Sequence, residues 1–456
     1  MLTKYKEGSI GELWTVSFPL MITIMSSLTM LFVDRCFLAY YSSDALNASV
    51  NAASLGWSFL IGVGIITGIA QIFVAQYNGA EKFKDVSRPV WQMIYLAVFS
   101  VVIFIPLGIW GAEYFFYGFR YKRMASDYFR WMMMLAPFFA IHSALASFYI
   151  GRGKTKIITA LSVFANIVNI GLDYIFIFGW KDYFPSLGVK GAAIATGMGG
   201  VFLSVSLFWM FLRKDNAIKY GTHNYSFDYK IFMSCLKVGV PSGISVMVEI
   251  VGWSLFYRML TNLGEIPITV ASICQSLFIL IFFFTEGIGK GASVIAGNRI
   301  GAGRTDSIVS ILYAGVKLNI IFIIFLLSAW FLWSEFLVDL FIQHSLPDSW
   351  ELSDIELLAK LTRSCLLLTI FYVFWENLRF VVTGLLTAAG DTRFIMYICT
   401  LSSWLFFLLP VYFFVVKGYP SIELAYIIMI LYAFILAAIF IVRFLKSQKL
   451  VKVLVD

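Results

Sequence analysis

Five carboxylate side chains lie within or beside apolar runs that are long enough to cross a lipid bilayer. An ionised group at the centre of a bilayer costs on the order of 3 kcal/mol or more, so an acid there is retained for a function or for an ion pair. The first, Asp34, lies in a run that begins near Trp14 and ends near Tyr40. The others are Asp173, Glu249, Glu286 and Glu376. Such groups can bind a travelling cation or proton, or can pair with a basic neighbour.

The acids in the first half of the chain are accompanied by other oxygen ligands. Asn169 and Asp173 are four residues apart, so they share one face of a predicted helix. Together with Asp34 and the hydroxyl of Thr196, they could hold Na⁺ or a proton. The alternative is a hydrogen-bonded cluster that only packs the helices together. Pro19, fifteen residues before Asp34, permits a kink and is predicted to be a hinge.

The acids in the second half differ in their basic neighbours. Glu249 has no basic residue within one helical turn, so it is the clearest candidate there for an ion or substrate site. Glu376 is followed by Arg379 at i+3, and a structural salt bridge explains this spacing as well as a role in transport does. Glu286 and Lys290 are spaced i, i+4 and are predicted to form a structural pair.

The composition indicates an all-α polytopic membrane protein. Of the 456 residues, 60% are hydrophobic and only 13% are charged, far from the balance of a soluble domain. The apolar runs have the length of about 20 residues that a membrane helix needs. The sequence therefore predicts twelve transmembrane helices, near residues 14–38, 54–77, 91–112, 131–150, 157–179, 188–212, 232–260, 268–289, 310–333, 364–386, 394–416 and 421–445.

The Lys and Arg residues are distributed unevenly between the two sides of the membrane. With the N-terminus inside the cell, roughly 23 of the 34 fall on the inner side and roughly 11 on the outer side, as the positive-inside rule requires. We therefore predict an integral protein of the cytoplasmic (inner) membrane with both termini in the cytoplasm. The net charge of +8 reflects this topology and contact with membrane lipids, and no basic patch indicates a nucleic acid partner.

No arrangement in the sequence is typical of an enzyme. The three histidines are far apart, and no Ser-His-Asp, Cys-His or HExxH pattern occurs. Residues 151–155 lack the first glycine of a phosphate-binding loop. The five cysteines have no paired spacing, which argues against disulfides and a zinc site. We expect neither an enzymatic activity nor a cofactor, and we infer no obligate protein partner.

Two landmarks recur at the same interval along the chain. Gly79 and Gly301, each followed by alanine at the end of a span, are 222 positions apart, and so are Pro19 and Pro241. A duplicated half with six spans gives both copies the same orientation, which places a cavity between two lobes related by an axis along the membrane normal. The predicted domains are an N-lobe of residues 1–220 with spans one to six, and a C-lobe of residues 221–456 with spans seven to twelve.

Several short patterns, taken in order, resemble the multidrug and toxic compound extrusion (MATE) family over nearly the whole chain. They are the Pro19 to Asp34 spacing, the Asn169-x-x-x-Asp173 pair, residues 187–193, Gly79-Ala80 and Gly301-Ala302. The resemblance implies bending of the first span and an N-lobe cation site at Asp34, Asn169, Asp173 and Thr196. It also implies that Glu249 and Glu376 correspond to acids of the NorM-like branch, from which this chain departs with Glu376 in place of an aspartate and Arg379 in place of a glutamine.

The function predicted from these observations is ion-coupled export. We expect an antiporter that admits Na⁺ or H⁺ and expels amphipathic small molecules of cationic or aromatic character by alternating access. The alternative is a flippase or a specific exporter of a lipid-linked or metabolite substrate on the same scaffold, for which Arg35, Arg258 and Arg379 are the candidate cations. A membrane-embedded enzyme or channel is a third possibility, which no motif supports.

Overall fold

A computed structural model describes residues 2–180, 183–345, 351–447 and 454. These residues form helices and connecting loops, with one isolated bridge between Trp180 and Phe184. Twelve helices among them are long and apolar enough to cross a membrane, which confirms the predicted fold class. They are α1 (Ile10–Tyr41), α2 (Ser43–Gly79), α3 (Phe83–Phe115), α4 (Lys122–Gly151), α5 (Thr155–Phe178), α6 (Val189–Phe211), α7 (Tyr229–Leu263), α8 (Glu265–Gly301), α9 (Thr305–Asp339), α10 (Leu352–Ala388), α11 (Thr392–Val416) and α12 (Ile422–Lys446).

Most of these helices extend beyond the predicted apolar runs. The helix α8 ends at Gly301, whereas the run that predicts it ends at residue 289. Hydropathy detects the residues inside the lipid, but a helix ends only where its backbone groups find other partners. At the start of α1, for example, the side-chain oxygen of Ser9 accepts a hydrogen bond from the backbone N–H of Glu12 at 3.2 Å.

Both described ends of the chain lie at the same end of the helix bundle, which we call the terminal face. Leu2 lies against Gly153 in the loop between α4 and α5. The backbone N–H of Leu454 donates a hydrogen bond of 2.7 Å to the side-chain oxygen of Gln76, near the end of α2. Twelve spans require this arrangement, because an even number returns the chain to its starting side. We call the opposite end the far face.

The two halves meet at the terminal face through contacts that repeat at the 222-residue interval. A Cβ atom on Gly79 would lie 1.9 Å from the backbone oxygen of Asn298, and a Cβ atom on Gly301 would lie 1.9 Å from that of Gln76. A shift of 222 positions takes Gly79 to Gly301 and Gln76 to Asn298, so the two contacts are equivalent. Because only glycine allows so close an approach, α2 and α8 cross backbone to backbone about a pseudo-twofold axis.

Buried polar groups add to this closure. Asn78 Nδ2 donates a hydrogen bond of 2.7 Å to Asn298 Oδ1. Glu12 of α1 and Arg299 of α8 form an ion pair, with 2.5 Å between Oε2 and Nη2, and both side chains are buried. Removing one partner of a buried pair typically costs about 3–5 kcal/mol, so this pair holds the two halves together in the present arrangement.

Above this closure, α2 and α8 carry polar side chains at matching positions. Asn47 and Ser54 on α2 correspond to Thr269 and Ser276 on α8 after a shift of 222 positions, whereas Asn51 and Ser272 lie one position out of register. Ser54 is exposed and lies about seven turns before Gly79, so it projects to the same side, toward the other half. Ser276 has the same relation to Gly301. Exposed polar groups on a membrane helix face water rather than lipid. We infer an aqueous cleft between the halves that opens toward the far face.

The helix α1 contacts both halves. Met21 lies against Gly287 of α8, in the second half. On the other side, the hydroxyl of Thr159 on α5 donates a hydrogen bond of 2.6 Å to the backbone oxygen of Pro19. The helix is continuous from Ile10 to Tyr41 through this proline. The predicted hinge position thus lies where α1 passes from contacts with the second half to contacts with the first.

The buried apolar side chains form three clusters that follow the two halves. One cluster contains residues between 256 and 444, joined by three residues from the start of α1. The other two contain residues between 38 and 211, one of them joined by two residues of α7. The division into lobes of residues 1–220 and 221–456 agrees with this grouping and remains our interpretation.

Candidate functional site

The acids of the first half lie between α1 and α5. These helices run in the same direction from the terminal face, and Asn166 Nδ2 of α5 donates a hydrogen bond of 2.8 Å to Ser26 Oγ of α1. Asp34 is about two turns beyond Ser26, and Asp173 is about two turns beyond Asn166, so the two carboxylates reach the same height. They are close enough to interact electrostatically. Asn169 lies one turn before Asp173, so three of the four predicted ligands come together.

These three side chains are buried, and each has polar atoms without a hydrogen-bond partner among the described residues. Asp34, Asn169 and Asp173 are 3%, 1% and 0% exposed. One oxygen of Asp34, both oxygens of Asp173 and both amide atoms of Asn169 have no hydrogen-bond partner among the described residues. The adjacent Arg35 is exposed, and its charge interacts electrostatically with Asp34. Groups left in this state are rare in folded proteins, and here they fit a bound cation or protons.

The donor set decides which cations suit the site. Carboxylate and amide oxygens are hard ligands of the kind that bind Na⁺ and the alkaline-earth ions. Transition metals prefer nitrogen and sulfur ligands. No group of three or more His, Cys, Asp or Glu residues suited to a metal occurs in the described part of the chain. The residues present therefore fit Na⁺ or a proton.

Two hydroxyl groups lie at the edge of this site. Tyr128 of α4 is buried and interacts electrostatically with both Asp34 and Asp173. Sequence reasoning missed it, because nothing in the local pattern distinguishes it among 23 tyrosines. Thr196 of α6, the fourth predicted ligand, is half-buried and lies one turn before Gly199. A Cβ atom on Gly199 would lie 3.6 Å from the Cβ of Asn169, so α6 packs on α5 beside the acids.

The acids of the second half form an ion triad instead, in which Arg379 and Glu376 are buried and Glu249 is partly exposed. Arg379 Nη2 lies 2.8 Å from Glu249 Oε1. The same guanidinium donates two hydrogen bonds to the carboxylate of Glu376, at 2.8 and 2.5 Å. Glu249, predicted as the acid without a basic neighbour, thus has its partner on α10, which spacing along one helix could not reveal. Glu376 forms the salt bridge that its i+3 spacing indicated. Two carboxylates share one guanidinium, which can balance the charge of only one of them.

The predicted pair of Glu286 and Lys290 is present on α8, with 2.6 Å between Oε1 and Nζ. Both side chains are partly exposed near the middle of the helix. Lys290 interacts electrostatically with His142 on α4, so it faces the first half of the chain. Since a charged pair on a membrane helix faces water rather than lipid, we place this pair near the closed end of the cleft.

These features together define an integral membrane transporter. Two six-helix repeats flank the inferred cleft, and beside it lie buried acids with oxygens that no described residue hydrogen-bonds. The MatE family model matches residues 19–175 and 241–413, and the two matched segments begin 222 positions apart, at Pro19 and Pro241. The chain belongs to the MatE family, as the sequence patterns indicated, and it is a transporter rather than an enzyme.

Similar proteins come from bacteria and an archaeon. "Probable multidrug resistance protein NorM" of Photorhabdus laumondii subsp. laumondii is 24% identical over 400 residues, which are 87% of this chain and 85% of that protein. The protein of the same name from Bacillus subtilis (strain 168) is 22% identical over 410 residues and 88% of each chain. A solved MOP superfamily transporter from Pyrococcus furiosus, described with a binding pocket of reverse polarity, has a TM-score of 0.86 at 16% identity, over 98% of this chain and 97% of that one.

A second solved structure shows the same fold. It is described as the outward-facing conformation of a multidrug resistance MATE family transporter, and it has a TM-score of 0.83 at 15% identity, over 98% of this chain and 97% of that one. At such identities the similarity establishes the fold alone.

Proposed function

We propose that this protein is an inner-membrane antiporter that exports amphipathic small molecules, cationic or aromatic, in exchange for Na⁺ or H⁺. The observation that carries the proposal is the pair of buried carboxylates, Asp34 and Asp173: one oxygen of Asp34 and both oxygens of Asp173 have no hydrogen-bond partner among the described residues. The multidrug resistance names of the NorM relatives support organic substrates. No residue of the proposed mechanism forms a covalent bond with its substrate.

The coupling ion compensates two adjacent buried acids. Asp34 lies on α1, whereas Asn169 and Asp173 lie on α5. Na⁺ would be held by these oxygens, with the hydroxyls of Tyr128 and Thr196 available as further donors. Protons would neutralise the same carboxylates. Either ion binds most tightly when α1 keeps Asp34 beside α5, so it favours the lobe arrangement that has this geometry.

Pro19 lets α1 respond to the ion. A proline inside a helix removes one backbone hydrogen bond, and the helix can bend there at low cost. Below this point α1 is fixed to α8 by the Glu12–Arg299 pair, and above it α1 lies on α5. A change at Asp34 therefore alters how α1 connects the halves. The ion shifts the equilibrium only by its differential affinity for the two arrangements.

With both termini in the cytoplasm, the present arrangement is the outward-facing one. The cleft would then release substrate at the far face while the terminal face is closed. The inward-facing state requires the α2–α8 crossing and the Glu12–Arg299 pair to separate. Substrate would bind near Glu286 and Lys290, whose opposite charges suit an amphipathic molecule with a polar group.

The flippase alternative loses one of its candidate cations. Arg379 is buried and bound to Glu249 and Glu376, so it is not available to an anionic head group in the cleft. Arg35 and Arg258 are exposed. A large anionic substrate would need more cations than these two, and Lys290 in the cleft is already paired with Glu286. We therefore favour the antiporter.

The test is efflux from proteoliposomes. A fluorescent organic cation would be loaded, and its efflux measured under an imposed Na⁺ gradient or an imposed pH gradient. We expect one gradient to drive efflux by the wild type and by Asp44→Asn, a control at an exposed acid in the first turn of α2, but not by Asp34→Asn. Efflux by Asp34→Asn at the wild-type rate would reject the proposed coupling site. Efflux under neither gradient would reject the antiporter.

A further inference from the structure

A cavity of about 600 Å³ lies at the terminal face, between the N-terminal segment and α9. It is separate from the cation site between α1 and α5. Its walls include Tyr5, Lys6 and Gly8 from the N-terminal segment, and Ser310, Tyr313 and Lys317 from α9. No step of the proposed transport cycle uses this cavity.

The cavity is positively charged. Two lysines line it, and the lining residues include no carboxylate. The neighbouring acids are already paired: Glu7 lies 2.5 Å from Arg304, and Glu12 pairs with Arg299. Neither Lys6 nor Lys317 forms an ion pair with a described residue. The site therefore has two cations available for an anion.

The depth of Lys317 places the cavity at the membrane boundary. This lysine lies twelve residues into α9, about 18 Å along the helix, and it is exposed. Exposed isoleucines follow it at positions 320, 321 and 324, so the helix face continues into the lipid. A lysine at such a depth extends its stem along apolar surface and its ammonium toward the head groups. Tyr5 and Tyr313 are exposed, as tyrosines of the interfacial layer are.

We propose that this cavity binds the phosphate-bearing head group of an anionic phospholipid. Lys6 and Lys317 would contact the phosphate, and Tyr313 would lie against the glycerol and the start of the acyl chains. Basic pockets between membrane helices are recognised binding sites for anionic lipids. The inference does not depend on the transported substrate or the coupling ion.

Two residues that line the cavity also form hydrogen bonds with the Glu12–Arg299 ion pair that joins the two halves. The backbone N–H of Gly8 donates a hydrogen bond of 2.7 Å to Glu12 Oε2. Ser310 Oγ accepts a hydrogen bond of 3.0 Å from Arg299 Nη1. A lipid head group bound between these walls orders the segments that position Glu12 and Arg299. Its binding is therefore expected to stabilise the closed terminal face.

The test is native mass spectrometry of the purified full-length protein with added phosphatidylglycerol or phosphatidylcholine. We expect one tightly bound phosphatidylglycerol on the wild type, and about thirtyfold weaker binding to K6Q/K317Q, since each lysine contributes about 1 kcal/mol near an anionic surface. K230Q/K237Q is the matched control, because both lysines are exposed at the start of α7 on the terminal face. K6R/K317R keeps the charge and should keep the lipid.

Three results would overturn the proposal. Equal losses in K6Q/K317Q and K230Q/K237Q would mean that the lipid is held by overall charge. Equal affinity for phosphatidylcholine would mean that the cavity does not select a lipid by its net negative charge. Displacement of the lipid by inorganic phosphate at equal concentration would mean that the cavity is a site for the free anion.

Discussion

The two halves of this transporter repeat the backbone but not the charges. A shift of 222 positions replaces Asp34 by Phe256, which is buried, and replaces Glu249 by Ser27. In the first half, two buried carboxylates have oxygens that accept no hydrogen bond from any described residue. In the second half, Arg379 forms ion pairs with two glutamates at once. The same helix framework therefore holds an open acid site on one side and a closed ion triad on the other.

This difference separates two roles of a buried acid. A buried acid without a partner is stabilised when a cation or proton binds to it, so the binding of that ion can drive a conformational change. An acid held by a guanidinium must first lose that partner, and breaking a buried pair costs about 3–5 kcal/mol. We therefore expect ion coupling in the first half and structural stabilisation in the second, where the predicted ion or substrate role of Glu249 and Glu376 stays a prediction.

The largest effect is expected when the triad is broken. Arg379→Met leaves the buried carboxylate of Glu376 and the partly exposed one of Glu249 uncompensated, and it should lower the free energy of unfolding by about 3–5 kcal/mol. Thermal unfolding of the purified protein in detergent measures this. The triple variant E249Q/E376Q/R379M should recover most of the loss, whereas Arg35→Met, at an exposed position, should change stability by less than about 0.5 kcal/mol. A mild effect of Arg379→Met alone would remove the contrast between the halves.

The opposite result is expected at the open site. Asp34→Asn and Asp173→Asn remove charges that burial disfavours, so the protein should unfold at the wild-type temperature or above it. Gradient-driven efflux should fall about a hundredfold or more, because an amide neither accepts a proton nor compensates a cation. The unfolding temperature and the rate of gradient-driven efflux, measured on the same preparations, test both expectations. Destabilisation as large as that of Arg379→Met would show that these acids are structural.

The sequence revealed the open site better than the triad, because its signals are local. Hydropathy marks Asp34 as an acid within a span, and i, i+4 spacing joins Asn169 to Asp173. The pairing of Glu249 with Arg379 joins helices α7 and α10, which are distant along the chain, and no spacing rule connects them. Tyr128 was missed for the same reason: its proximity to the acids arises from the packing of α4. The 222-residue repeat identified Gly79 and Gly301 as counterparts, but only the structure shows that each meets the other half.

The closed terminal face offers a comparison in which the halves should behave alike. Gly79→Ala and Gly301→Ala each put a methyl group where a backbone oxygen lies 1.9 Å away. Overpacking of this kind typically costs about 1–3 kcal/mol, which is roughly a 5- to 150-fold shift away from the closed arrangement. Spin labels at positions 47 and 269, on the far-face halves of α2 and α8, should report a shorter distance in both variants. A shift in only one variant would contradict the pseudo-twofold crossing.

The smallest effect is expected at the edge of the open site. Thr196→Val removes a hydroxyl that is half-buried and lies one turn from the contact between Gly199 and Asn169. The variant should therefore bind the coupling ion more weakly by about the free energy of one hydrogen bond, 0.5–1.5 kcal/mol. The ion concentration for half-maximal efflux should rise about 2- to 10-fold while the maximal rate is unchanged. Thr269→Val on α8 is the control, since its hydroxyl lies on the cleft side of the second half. If both variants raise that concentration equally, Thr196 does not belong to the ion site. If Thr196→Val instead abolishes efflux, as Asp34→Asn should, the threonine is a principal ligand and the ion site extends further onto α6.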